Sequence, residues 1–341
     1  MQQLGHKALI ALFGWFVCQA FSPVCAQGLP GAPGPAPAMM PAAGLDPSLL
    51  AQIGSQTVKD TIPIDLTPVR LPERGNIFDK FRAGALYNLP ARMFFDASVE
   101  NTIRLETNVF QTLKNNRADC IYRVLPNCTL GYALGPHTRV SSNYFFIRDT
   151  YAINHVLNRN INSVGFRLDQ DFPVNEKTTG TVGMFARELF QTDQPELNDW
   201  IPSVVLVRRA GARAIVYGSV LGQVRFRKVL GRYQEFDQFY SVGGVYRKRA
   251  WVFTGDCTFI SNFGKRALRF GPNNCNFILT LEAARQISPR LPIAAFVRVE
   301  PIFNIGANQA QGFAGVNVRV FGGIRAEISK PPIFPVKFGR G

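Results

Sequence analysis

Few side chains in this 341-residue sequence have the type and spacing for catalysis. Only His137 and His155 lie beyond an N-terminal leader, and neither has the spacing of a metal ligand. In the run His137-Thr138-Arg139-Val140-Ser141-Ser142-Asn143, His137 and Ser141 are four apart and would share one face of a strand, with the residue types of a lipid-hydrolase site. His137, however, directly follows Gly135-Pro136, a turn signal, and reads as a turn residue. The sequence carries no Gly-x-Ser-x-Gly elbow, phosphate loop or dinucleotide fingerprint. The expectation is no catalytic residue, no metal and no cofactor.

The cysteines and the charges say more. Cys18 and Cys25 fall in the leader, which leaves Cys120, Cys128, Cys257 and Cys275 as an even set. If the chain is exported to an oxidising compartment, closeness in sequence pairs Cys120 with Cys128 and Cys257 with Cys275. The formal net charge is +15, and Lys7 is the one charged residue before position 27, so about +14 remains after the leader (15 − 1). The arginines that carry this excess are spread singly through alternating stretches, and an exported chain does not meet nucleic acid.

Those alternating stretches are what must position the charges. From Ala314 to Ile328, Ala314, Val316, Val318, Val320 and Ile324 fall on one face, opposed by Asn317, Arg319, Arg325 and Glu327. Ala214, Val216, Val220, Val224 and Phe226 likewise oppose Arg213, Tyr217, Ser219, Gln223, Arg225 and Arg227. Ala295, Val297 and Val299 oppose Arg298 and Glu300, and Trp251, Phe253, Cys257 and Phe259 oppose Thr254, Asp256 and Thr258. Such period-two separation over about fifteen residues suits a tilted membrane-crossing strand more than a globular one. Further candidates at 80–88, 92–112, 122–134, 139–151, 161–172, 178–191, 200–209, 236–247 and 275–287 bring the count to about twelve, or fourteen if 92–112 is a hairpin centred on Glu100-Asn101-Thr102. Tyr122, Tyr132, Tyr144, Tyr151, Trp200, Tyr240 and Trp251 gather toward strand ends, where aromatic girdles lie.

Ahead of the strands, Lys7, the apolar run Ala8–Val17 and the small-residue end Val24-Cys25-Ala26 read as a signal peptide over 1–26, since ten apolar residues are too few to span a bilayer. Residues 27–77 form a Pro/Ala/Gly-rich linker and a short periplasmic segment with an N-capped helix at Asp46-Pro47, whose apolar stripe could plug or pack on a barrel. The barrel is expected over 78–330, with a tail at 331–341.

The leader, the tether, the hairpin signal Asn127–Leu134, Gly135-Pro136-His137-Thr138, Arg139–Asp149, and the strand Ala314–Ile328 resemble bacterial outer-membrane β-barrels of the porin-like kind over residues 78–330. The resemblance implies an all-β, antiparallel transmembrane barrel in the outer membrane, in contact with outer-membrane lipid. Its apolar faces would meet lipid, and Arg104, Arg123, Arg167, Arg213, Arg225, Arg227, Arg298, Arg319 and Arg325 would face the lumen, against Glu106, Asp169, Asp256, Glu282, Glu300 and Glu327. That excess of arginine is the pattern of a pore for small anionic solutes. The alternatives are a non-conducting structural barrel in which Arg298, Glu300, Arg319, Arg325 and Glu327 neutralise one another, an outer-membrane lipid hydrolase, and a soluble exported β-sandwich binding protein. Oligomeric state is not legible.

Overall fold

A computed structural model describes residues 90–330 apart from 91, 110–116, 192–196, 228–231, 265–273, 288–291 and 306–314. The signal peptide, the linker, the Asp46-Pro47 helix, the strand expected at 80–88 and the C-terminal tail lie outside the described residues.

Among the described residues, the stretches read as period-two alternation form strands. The strands are β1 (Met93–Glu106), β2 (Asp119–Ala133), β3 (Thr138–Tyr151), β4 (Arg159–Asn175), β5 (Thr178–Gln191), β6 (Leu197–Arg209), β7 (Ala214–Arg227), β8 (Arg232–Lys248), β9 (Trp251–Gly264), β10 (Asn274–Gln286), β11 (Ile293–Ile305) and β12 (Gly315–Lys330). Each pairs antiparallel with its sequence neighbours and β1 pairs with β12, which closes a twelve-stranded barrel without an edge. Strands of 13 to 17 residues exceed the roughly 9–11 that a tilted strand needs to cross the hydrocarbon layer.

The two ends differ. At one end the connections are tight, down to the two-residue turns Glu176-Lys177 and Arg249-Ala250. In the second, Arg249 takes a φ of 56°, matching the first central residue of a primed hairpin turn. Longer connections, 107–118, 152–158 and 306–314 among them, lie at the other end. Both β1 and β12 have their outer termini at the short-turn end, the asymmetry of outer-membrane barrels.

The outer face is apolar along most of its length: Ile103, Leu105, Phe166, Val242, Leu281, Val297 and Ile324 point out, with Phe166 and Val242 each 69% exposed. Tyr122, Tyr132, Tyr144, Trp200 and Trp251 add exposed rings to that face. The polar side chains point inward, the inverse of a water-soluble protein and the arrangement that lipid outside requires.

Four expectations are corrected by this register. Residues 93–106 form one continuous strand and not a hairpin, because the alternation Glu100, Thr102, Arg104, Glu106 runs unbroken along the inner face. Tyr151 faces inward and is buried, so it belongs to no outer girdle. Arg213 is exposed in the turn before β7, where its carbonyl accepts from Arg247 N–H, and it does not line the lumen. Neither predicted disulfide exists. Cys120 and Cys128 lie on the same strand, eight residues or about 26 Å apart at roughly 3.3 Å per residue, far beyond the roughly 7 Å that a bridge spans. Cys257 pairs with Leu279, four positions from Cys275, so that second pair is separated by about 13 Å.

Candidate functional site

The inner wall holds the chemistry, and adjacent strands bring its charges together in ladders. Between β2, β3 and β4, Asp149 accepts a two-pronged bond from Arg123, Nε to Oδ1 at 2.6 Å and Nη2 to Oδ2 at 2.7 Å, and a second guanidinium from Arg159 at 2.9 Å. Arg104, wholly buried on β1, joins Asp149 at 3.9 Å to Glu106 at 3.1 Å. Glu106 is then held by Arg319 across the β1–β12 seam at 2.8 Å and by Asn317 at 2.6 Å. The seam that closes the barrel is therefore locked by buried, charge-assisted bonds between strands far apart in sequence.

A second ladder sits lower on the same side. Arg298 donates to Glu282 at 2.8 Å and to Glu100 at 3.2 Å, and Arg325 bonds the same two carboxylates at 2.8–3.1 Å. The Arg325 guanidinium lies 4.6 Å from the centre of the Phe296 ring, and Arg298 lies 5.2 Å from that of Phe321, so aromatic faces back both cations. Opposite, Asp199 on β6 takes both Arg187 of β5 and Arg225 of β7, with Gln223 completing its shell at 2.6 Å. Arg167 pairs with Asp169, Arg139 with Asp171, and Tyr217 donates to Asp256 at 2.8 Å.

Of the expected lumen residues, Arg104, Arg123, Arg167, Arg225, Arg298, Glu300 and Arg319 are buried on the inner face and Arg325 is nearly so. Glu327 shares that face but is exposed at the short-turn end, and Arg227 ends β7 with its backbone paired to Arg232. Sequence reading missed Glu100, Asp149, Arg159, Arg187 and Asp199. Their inclusion changes the charge: among the described residues, seven arginines (104, 123, 167, 187, 225, 298, 319) are buried with ten carboxylates (100, 106, 119, 149, 169, 199, 237, 256, 282, 300). The expected excess of arginine is absent from this wall.

A feature of a different kind lies among these ladders. Leu125, Phe145, Ile161, Phe185, Ile201, Phe239, Ile278 and Ile302, on β2 to β6, β8, β10 and β11, face inward and belong to one buried apolar cluster. Direct cross-strand partners build it, Ile147 with Ile161, Phe185 with Ile201, Leu221 with Phe239, and Ile278 with Ile302. The hydrolase residue types are not assembled: His137 lies exposed in the turn that precedes β3 and His155 is exposed in a 3₁₀ turn. Among the described residues no group of three or more His, Cys, Asp or Glu is placed to hold a metal ion.

No protein-family model and no curated protein matches this sequence. Solved structures similar in fold include an outer membrane channel from Pseudomonas putida F1 (8% identity, 70% of this chain and 97% of that one, TM-score 0.46). The NanC porin (12%, 67% and 98%, 0.42) and an anion-selective porin from Comamonas acidovorans (10%, 69% and 99%, 0.34) are others. At these values the likeness extends to architecture alone. The chain is a closed, twelve-stranded antiparallel β-barrel that resembles the bacterial outer-membrane porins as a class.

Proposed function

We propose that this protein is an outer-membrane barrel, embedded in outer-membrane lipid through its apolar exterior, whose lumen is closed at rest. One observation carries the reading: the guanidiniums buried on the inner wall are bonded into carboxylate ladders, so they are committed to neighbouring strands and, among the described residues, no ring of unpaired cations faces a passing solute. An anion-selective filter needs a surplus of positive field, and the described wall has none. The apolar cluster supports the same conclusion, because hydrophobic constrictions exclude water and ions by dewetting.

A second reading, passage of small anionic solutes, is favoured at two points. Asp149 is shared by Arg123 and Arg159, and Asp199 by Arg187 and Arg225, so cations locally outnumber the acid. Planar-bilayer recording of the refolded full chain decides between them. The closed barrel gives no sustained conductance, whereas steady anion-selective current from the unmodified protein would replace the first reading by the second.

A further inference from the structure

We infer that a cleft on the outer face, near the short-turn end, binds an anionic phospholipid of the periplasmic leaflet, with an acyl chain in the cleft and the phosphate between Lys248 and Arg285. The inference rests on the membrane-embedded part of the reading above and adds a lipid class and a site to it. Strand register builds the cleft. Outward positions of β8, β9 and β10 fall into three directly paired rows: Gly244, Gly255 and Leu281; then Tyr246, Phe253 and Ala283; then Lys248, Trp251 and Arg285. Because Gly244 and Gly255 are cross-strand partners, two adjacent strands present no side chain there, while exposed Val216, Tyr246, Phe253, Leu281 and Val297 stand around the gap. The result is a largely apolar cleft of about 590 Å³, within the size range of ligand pockets.

The rim supplies a partner for a charged headgroup. Lys248 and Arg285 are both exposed and flank Trp251 across the ladder, about 10 Å apart at roughly 4.8 Å per strand. The Arg285 guanidinium lies 5.5 Å from the centre of the Trp251 ring, which stacks on Phe253 at 6.0 Å. A cation is thus held beside a tryptophan of the kind that marks the membrane interface. The cation row lies four residues from the glycine pair, about 13 Å along the strands, which is less than the roughly 15 Å hydrocarbon depth of one leaflet.

Charge and topology identify the occupant. The buried acids of β7 to β11, Asp237, Asp256, Glu282 and Glu300, face the lumen, so the outer rim is cationic, and Arg249 in the adjoining turn adds to it. Cations beside an apolar cleft are complementary to a phosphate carrying acyl chains. A second copy of this chain, meeting the cleft through a two-fold contact, would set two cationic rims against each other. The short-turn end of an outer-membrane barrel faces the periplasm, which places the site in the leaflet on that side.

Trp251 reports on the site. The sequence has three tryptophans, so the full chain carrying Trp15→Phe and Trp200→Phe keeps Trp251 alone. This protein is refolded into phosphatidylcholine vesicles, its folding is checked by heat-modifiability, and a minor fraction of the lipid is replaced by acyl-brominated phosphatidylglycerol or, at equal mole fraction, acyl-brominated phosphatidylcholine. Quenching of Trp251 is expected to show at least about fivefold higher relative affinity for the anionic lipid, the factor that roughly one basic side chain supplies at an anionic surface. Lys248→Gln with Arg285→Gln should bring the ratio to about one. Gly255→Leu, whose Cβ would meet Leu281 Cδ2 at 3.7 Å, fills the cleft and should lower the ratio as well. The charge variant stands by itself if the cleft variant does not fold. Equal quenching by the two lipids in the parent, or a preference that survives in either folded variant, overturns the inference and leaves the membrane-embedded reading intact. Absence of quenching by both lipids also overturns it: a doubled mass in detergent would then assign the cleft to a second copy, and a single mass would remove Trp251 from the bilayer and defeat the embedded reading too.

Discussion

Replacing Asp199 by asparagine removes one charge and almost no volume, and it asks whether the inner wall is dry. In the wild type, five N–H donors converge on this carboxylate: two from Arg187, two from Arg225 and one from Gln223. The Asp199 and Arg187 side chains are wholly buried and that of Arg225 is 4% exposed. The three charges sum to +1 (two Arg, one Asp), and Asp199→Asn raises this to +2 with both cations still buried. Breaking a buried pair in this way costs about 3–5 kcal/mol, a factor of roughly a hundred to several thousand in the unfolding equilibrium. Were the same groups bathed by a water-filled channel, the pair would contribute about 0–1 kcal/mol. The double variant Asp199→Asn with Arg225→Gln returns the site to +1, and its stability should recover part of the loss, a rescue that a simple packing defect would not show. Denaturant titration in micelles, followed by tryptophan fluorescence and gel mobility, measures all three proteins. A loss below about 1 kcal/mol for Asp199→Asn would refute the dry, ion-paired wall.

Other consequences are as direct. Val242→Arg or Leu281→Arg places a cation on the outer face and should cost about 2–4 kcal/mol at mid-depth, read as failed assembly into vesicles, while Arg213→Ala in its exposed turn should stay within about 0.5 kcal/mol of wild type. Gly323→Ala should lower stability, because a Cβ there would sit 2.4 Å from Asn101 O and 3.1 Å from Thr102 Cα, whereas Gly322→Ala, with nothing within 4 Å, should not; thermal gel-shift midpoints compare the pair. Asp119→Ala removes the acceptor for Ile153 N, Asn154 N and Asn154 Nδ2, and should speed proteolysis within 152–158 without unfolding the barrel.

The outer face was legible in the sequence because it follows a single apolar rule, and the strands at 214–227, 251–264 and 315–330 obey that rule cleanly. The inner face follows two rules. Where it is polar, as at Asn317, Arg319 and Arg325, alternation had contrast and the residues could be assigned. Where the apolar cluster crosses a strand, contrast vanishes: on β3, Phe145 and Ile147 point inward beside Asp149, while Tyr144 and Phe146 point out, so Asp149 could not be given a face. Glu100 was hidden by the hairpin centred on it, and Asp199 lies just before the stretch read as 200–209. The lost residues were mainly acids, which is why the expected lumen had too many arginines. Disulfides were misjudged because closeness in sequence says nothing about distance once an extended strand lies between the residues.

The separation of the cysteines also bears on how the chain reaches its fold. In the unfolded state Cys120 and Cys128 close a small loop, and in an oxidant they would join readily. The finished barrel holds them eight residues apart along the extended β2, so the cross-link and the native ladder exclude each other. Oxidation before assembly therefore diverts the chain into a covalently trapped species that only a reductant or thiol exchange can return to the folding route. Assembly becomes a race between strand pairing and thiol chemistry, and β2 loses its place between β1 and β3 whenever the oxidant acts first.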